Sequence, residues 1–194
     1  MADAFVLKND GGSQFSPHPE GQYPAVCVDF LDLGNKVKSF PGSEPKLAYC
    51  VALVFQTGEK NEGGRLHEVS AEFTASMHEK ASLRKLLEDW RGKTYTKEEV
   101  KQGIPADKLV GRSCLLTVEH KESGSGRVYA KVRAISALPK AMAKPDLPVY
   151  ERPAFWEERK KAYALEAQKF ERDHALNQDF ESIPHEEDAS EVPW

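Results

Sequence analysis

No stretch of this 194-residue chain approaches the roughly 20 consecutive apolar residues of a membrane span. The first residues, MADAFVLKNDGGSQFSPHPEG, lack the basic start and long apolar run of a secretory signal. Cysteine is scarce. Cys27, Cys50 and Cys114 are odd in number, far apart, and set among apolar neighbours in AVCVDF, LAYCVAL and RSCLLTV. That pattern excludes a disulfide scaffold and a zinc site built on paired ligands. It points to reduced, buried thiols in a cytosolic protein. Catalytic signatures are missing too. There is no Gly-rich phosphate loop with Lys and Ser/Thr, no G-x-S-x-G, no H-E-x-x-H and no close Cys pair. His67, His78 and His120 stand at neither ligand nor triad spacing. The expectation is a non-enzyme with no catalytic residue, no metal and no cofactor. Glu68, Glu72 and Glu79 are the carboxylates a nuclease-like metal site would draw on, but the wet face of a strand accounts for Glu68 and Glu72 as well. No internal repeat is visible.

What is present fits one domain with appendages. A hydrophobic content of 40% is enough for one core, and 30% charged residues imply that much of the chain is wet. The net charge of -4 hides an asymmetry. Residues 36–140 carry 19 Lys and Arg against 13 Asp and Glu, an excess of six positive charges. Residues 177–194 carry six acidic residues and no Lys or Arg, and end on Val192-Pro193-Trp194. A mildly basic body with an acidic tail points to a polyanion-binding domain with an interaction arm. A like-charged run cannot form a core, and its terminal aromatic then reads as a short peptide offered to other proteins.

Residues 1–21 are rich in Gly, Ser and Pro and read as a flexible segment in which Phe5, Val6 and Leu7 could add a strand. Residues 23–33 read as a strand, and NKVKSFPGSEPK as a polar loop. Residues 47–56 form a nearly continuous apolar run, as in a strand buried on both faces. Residues 66–77 alternate, with Val69, Ala71, Phe73 and Ala75 on one face and Glu68, Ser70, Glu72 and Thr74 on the other. Leu83, Leu86, Leu87 and Trp90 then recur at i, i+3, i+4, i+7, one face of a helix that Gly92 is placed to stop. Thr96 and Glu99 resemble a capping box for a short second helix. Residues 113–121 and 127–138 read as strands around the turn ESGSG. Residues 141–153 read as a linker, 154–176 as a helix rich in Glu, Lys, Ala and Arg, and 177–194 as the acidic tail. Three strands, a helix and two strands over residues 22–140 predict a mainly β protein with a five-stranded OB-fold barrel, a C-terminal helix and a disordered acidic tail.

In RVYAKVRAI, Val128, Ala130, Val132 and Ala134 are expected towards the core, with Arg127, Tyr129, Lys131 and Arg133 on the opposite face. Cations around an aromatic neutralise phosphates and stack a base, and the turn at 123–126 is small and flexible enough for close approach. Lys36, Lys38, Phe40 and Lys46 repeat the theme around the first hairpin, with Phe40 either exposed or capping the barrel end. Tyr49 is a stacking residue or a core residue; Phe55 reads as core, as does Trp90. Trp156 either docks the late helix or anchors an interface.

The block ASLRKLLEDWRGKTYTKEEV followed by LVGRSCLLTVEHKESGSGRVYAKVRAISALPK resembles a family of bacteriophage replication-associated proteins, which look like single-stranded DNA-binding proteins of OB-fold type. The resemblance spans residues 22–140 and is carried by S-L-R-K-x-L-x-x-W-R-G and L-x-G-x-x-C-L-L. The chain end is similar to the acidic tip of bacterial single-stranded DNA-binding proteins, which closes Asp-Ile-Pro-Phe or close to it. Pro193 and the terminal aromatic match, Trp194 replaces Phe, and the acidic residues stand further upstream. The 155–176 helix is not part of that plan. The resemblance implies a protein that holds single-stranded DNA with little sequence preference. It also implies recruitment of replication or recombination proteins through Asp188, Glu191, Val192, Pro193 and Trp194, in the cytoplasm of a bacterial host. A homo-oligomer is compatible with it, and no membrane partner is expected. The competing expectation is a protein-binding adaptor or inhibitor whose barrel, late helix and tail form the interface.

Overall fold

The computed structural model describes residues 16–40 and 42–181, including side chains other than those of Phe40 and residues 176–181. Phe5, Val6 and Leu7, and the tail residues Asp188, Glu191, Val192, Pro193 and Trp194, lie outside the described residues. The chain is mainly β. Its elements run β1 (Gly21–Phe40), β2 (Ser43–Lys60), β3 (Leu66–Thr74), α1 (Ser82–Arg91), α2 (Lys97–Gln102), a 3-10 turn (Ala106–Leu109), β4 (Ser113–Glu122), β5 (Val128–Ser136) and α3 (Phe155–Glu181). The strands form one five-stranded sheet in the order β3-β2-β1-β4-β5, with antiparallel pairing of β1 to β4 and of β4 to β5. With α1 between the third and fourth strands, this is the OB-type element order. Among the described residues no helix is long and apolar enough to cross a membrane.

Local signals explain most element ends. Beyond α1, Gly92 takes a φ of +66° and donates to Asp89 O, while Lys93 N donates to Glu88 O. This pair of bonds is a Schellman motif, which glycine enters without a Cβ clash. At α2, Thr96 Oγ1 accepts from Glu99 N and the Glu99 carboxylate accepts from Thr96 N, a complete capping box.

The largest departure is in the first hairpin. The polar stretch NKVKSFPGSEPK is not a long loop. β1 continues through Lys36 and Lys38 to Phe40, and β2 resumes at Ser43. Lys36 and Lys38 sit within β1 because their side chains find partners on other elements. The late helix also runs longer than expected, through the first residues of the stretch read as tail, to Glu181.

The described chain divides into two compact units. The first comprises residues up to Phe30, Leu53–Ala71 and Lys85–Tyr150. Its core holds Phe55, fully buried, with Leu53, Val54, Val69, Trp90, Leu116 and Ile135. The Phe55 and Trp90 rings meet edge to face with centroids 5.7 Å apart. The second comprises Leu31–Ala52, Glu72–Arg84 and residues from Glu151 onward, with Leu31, Leu33, Cys50 and Trp156 buried. β2 is buried without a break from Cys50 to Thr57, which accounts for its continuous apolar run.

All three cysteines are free and buried. Burial pushes the Cys27 and Cys114 thiols up to about 12. The thiolate is the reactive form. At pH 8 the folded protein should therefore leave both unmodified by iodoacetamide, whereas the urea-unfolded chain is alkylated at all three cysteines. Intact-mass spectrometry reads the difference. Alkylation of Cys27 or Cys114 at the unfolded rate would contradict this closed core.

Candidate nucleic-acid interface

The β4–β5 hairpin lies within the first unit. Its strands pair Glu119 with Lys131 and Lys121 with Tyr129, and paired residues of an antiparallel ladder share a face. Tyr129 is 41% exposed there, and Lys121, Lys131 and Arg133 are exposed beside it. Arg127 is exposed where the turn enters β5. Between Glu119 and Arg133 the hairpin carries four Lys and Arg against two Glu. An accessible ring therefore stands on a paired hairpin that carries an excess of positive charge.

The alternation along β5 is broken by a bulge. Thr117 pairs with Ala134 but Val118 pairs with Val132, which leaves Arg133 as an extra residue. The strand consequently buries Val132 and Ile135, while Ala134 is exposed and Val128 is 43% exposed. The expected core row of Val128, Ala130, Val132 and Ala134 is corrected to this shifted one. A bulge bends its strand and re-aims the residues around it. Here it places the Arg133 guanidinium 2.9 Å from the Glu119 carboxylate.

Glu119 is the residue that sequence reading missed. Arg133 donates to its Oε2, and Lys121 Nζ stands 3.5 Å from its Oε1. The hydrogen bond from Arg133, with Lys121 nearby, holds the Glu119 carboxyl below the usual carboxylate range. A phosphate entering this face meets an anion already seated between two of its cations. The available signal was the spacing of Glu119 and Lys121, which puts both on one strand face.

The turn itself is closed. Ser123 N donates to Arg127 O at 2.9 Å, Gly126 N to Ser123 O at 2.9 Å, and Arg127 N to Ser123 Oγ at 3.0 Å. Gly126, at φ +78°, supplies the left-handed residue the turn needs. The turn is small, as expected, and carries three internal hydrogen bonds.

The residues of the first hairpin belong to the second unit. Lys36 is already engaged. Its Nζ donates to Tyr163 Oη at 2.8 Å, pairs with Glu72 at 3.3 Å, and sits 4.3 Å from the Tyr163 ring centre. Glu72 also accepts from Arg159 at 2.6 Å. Glu72 is thus no wet-face carboxylate; it fastens α3 by accepting from Arg159 and from Tyr163 Oη, the latter at 3.0 Å, with Lys36 of β1 beside them. Lys38 Nζ donates to Thr74 Oγ1 at 2.7 Å. Lys46 is exposed, and the side chain of Phe40 is outside the described residues. Tyr49 is 49% exposed, not core, and its hydroxyl hydrogen-bonds Asp32. Trp156 is 3% exposed, which decides its role as a docking residue of α3 within this unit.

Of the expected cations, Arg127, Lys131 and Arg133 are exposed on the hairpin that carries Tyr129, whereas Lys36 belongs to a helix-docking cluster. Among the described residues no group of three or more His, Cys, Asp or Glu is placed to hold a metal. No family model and no curated protein matches the chain.

Proposed function

We propose that the protein binds single-stranded DNA with little sequence preference and without catalysing a reaction on it. The observation that carries this reading is the exposed Tyr129 ring on a hairpin that also exposes Lys121, Arg127, Lys131 and Arg133. A ring on a flat strand face stacks an unpaired base, worth about 1–3 kcal/mol per base, and does so for any base. Duplex bases are already stacked on each other and offer no such face. The four cations neutralise the backbone on either side. The OB-type element order supports the same reading, because that fold uses its last hairpin loop in oligonucleotide binding. Within this proposal the chain serves a phage-type replication or recombination system in a bacterial cytoplasm, and the acidic stretch ending Val192-Pro193-Trp194 recruits partner proteins.

Fluorescence anisotropy with labelled oligo-dT tests the reading. Three or four phosphate contacts give a slope of log affinity against log salt of about -2 to -3 on a single strand. A matched duplex should bind far more weakly. Absence of binding at low salt, or an affinity indifferent to salt, would remove the proposal and favour a protein-binding adaptor.

A further inference from the structure

A cluster of histidines lies in the first unit; its member on β4, His120, stands between Glu119 and Lys121 but on the opposite face of the strand from them. It centres on His18, in the segment that leads into β1. Pro17 and Pro19 flank His18. Neither has a backbone N–H, so the segment contributes little to a ladder and is held by side chains instead. His18 is 2% exposed. Its Nδ1 lies 2.8 Å from Pro19 O, and a carbonyl only accepts, so Nδ1 carries the proton. Nε2 is then an acceptor, and the Thr57 hydroxyl on β2 donates to it at 2.6 Å. The ring meets Tyr23 of β1 edge-on at 4.6 Å and His67 of β3 at 5.3 Å. The His18 carbonyl accepts from His120 Nε2 on β4 at 2.8 Å, and the Glu20 carboxylate accepts from His120 N at 2.7 Å. One short segment is therefore fastened to four successive strands of the sheet, chiefly through one neutral imidazole.

We infer that residues 16–20 form an acid-released strap, closed while His18 and His67 are neutral and opened when they gain protons. A second proton on His18 converts Nε2 into a donor and ends its acceptance from Thr57. It also places a cation in a water-poor site beside His67 and His120. Among the described residues, Glu59 of β2, His120 of β4 and Tyr23 of β1 face the pair, and Glu20 of the strap binds the His120 amide. Burial is the largest influence and holds both His18 and His67 below their ordinary value of 6.5; the Pro19 carbonyl and Glu59 favour the His18 cation and His120 opposes it, while at His67 the neighbouring His18 opposes the charge and Glu59 favours it. The released strap exposes these rings, so it takes up protons first. Closure is therefore complete above about pH 6.5 and weakens as the pH falls towards the lowered values of the closed state. Each proton gained on release shifts the opening equilibrium roughly tenfold per pH unit in that window. The strap secures β4 beyond the end of its ladder with β1, which begins at Gly21 and Val118.

Amide hydrogen exchange on the full chain reads the strap directly, without any ligand. After correction for intrinsic exchange, protection of the His120 amide should fall by at least tenfold between pH 7.5 and 5.5. Protection of core amides such as Phe55 should change much less. In a His18→Asn/His67→Gln variant, the His120 amide should lose that pH dependence. If the variant does not fold, NMR titration of the wild-type imidazoles decides. His18 and His67 titrating below 6.5, with His120 protection lost in step, supports the strap. Titration at or above 6.5, or His120 protection unchanged down to pH 5.5, overturns it. Failure of DNA binding leaves these readouts untouched.

Discussion

Changing Arg127, Lys131 and Arg133 together to Glu should abolish binding to single-stranded oligo-dT at low salt, a loss of at least a hundredfold. The size follows from the interface. Each phosphate contact on a single strand contributes about 0.7 to the salt slope, and reversing a cation replaces an attraction with a repulsion of similar range. Three reversals turn the hairpin's excess of two positive charges into an excess of four negative ones. The fold should survive. All three side chains are exposed, and the ion pair of Arg133 with Glu119 is a surface pair of the kind worth about 0–1 kcal/mol. Far-ultraviolet circular dichroism checks that the sheet is intact, and anisotropy measures binding. Affinity within a few fold of wild type would place the DNA site elsewhere. Tyr129→Ala separates the two parts of the interface. It should weaken binding by roughly the stacking of one base, about 1–3 kcal/mol, and leave the salt slope nearly unchanged.

The parts of this arrangement that sequence reading reached are those written in local chemistry. The i, i+3, i+4, i+7 row of Leu83, Leu86, Leu87 and Trp90, the glycine stop at Gly92 and the capping box at Thr96 and Glu99 are each set by neighbours within a few residues. The continuous apolar run of β2 is legible for a similar reason, because burial on both faces leaves no alternation to read. What stayed hidden depends on contacts far apart along the chain. Lys36 looks like a loop cation until Tyr163 and Glu72 close over it, and β1 extends through a polar stretch because of them. The Arg133 bulge is equally invisible in sequence. It follows from the register between β4 and β5, and a shift of one residue moves every later side chain to the other face. His18 sits in a Pro-rich segment that reads as mobile, yet its partners Thr57, His67 and His120 come from three different strands.

Trp90→Ala should destabilise the fold more than any of the other substitutions, by about 3–5 kcal/mol, measured by urea unfolding followed by circular dichroism. Trp90 is 7% exposed, and its ring meets Phe55 edge to face. Truncation removes the transfer energy of a large buried aromatic and leaves a cavity against a fully buried Phe. A domain of this size holds only about 5–15 kcal/mol in total, so the variant approaches the unfolding threshold. The indole also has a polar task. Its Nε1 donates to Ser113 O at 3.0 Å, at the first residue of β4, where Ser113 pairs with Val26 of β1. Trp90→Phe keeps most of the apolar volume and loses that bond, so it should cost less, about 1–2 kcal/mol. The ranking of the two variants tests the packing argument: equal costs would mean that the hydrogen bond, not the ring, anchors α1 to the sheet. Either way the damage enters β4 at its start, eight residues before Lys121 on the strand that carries half of the proposed DNA face. Trp90→Phe should therefore bind oligo-dT normally at temperatures where it is folded, whereas the triple charge reversal stays folded and does not bind. Loss of DNA affinity in folded Trp90→Phe would show that the hairpin's geometry, and not only its charge, is set from the core.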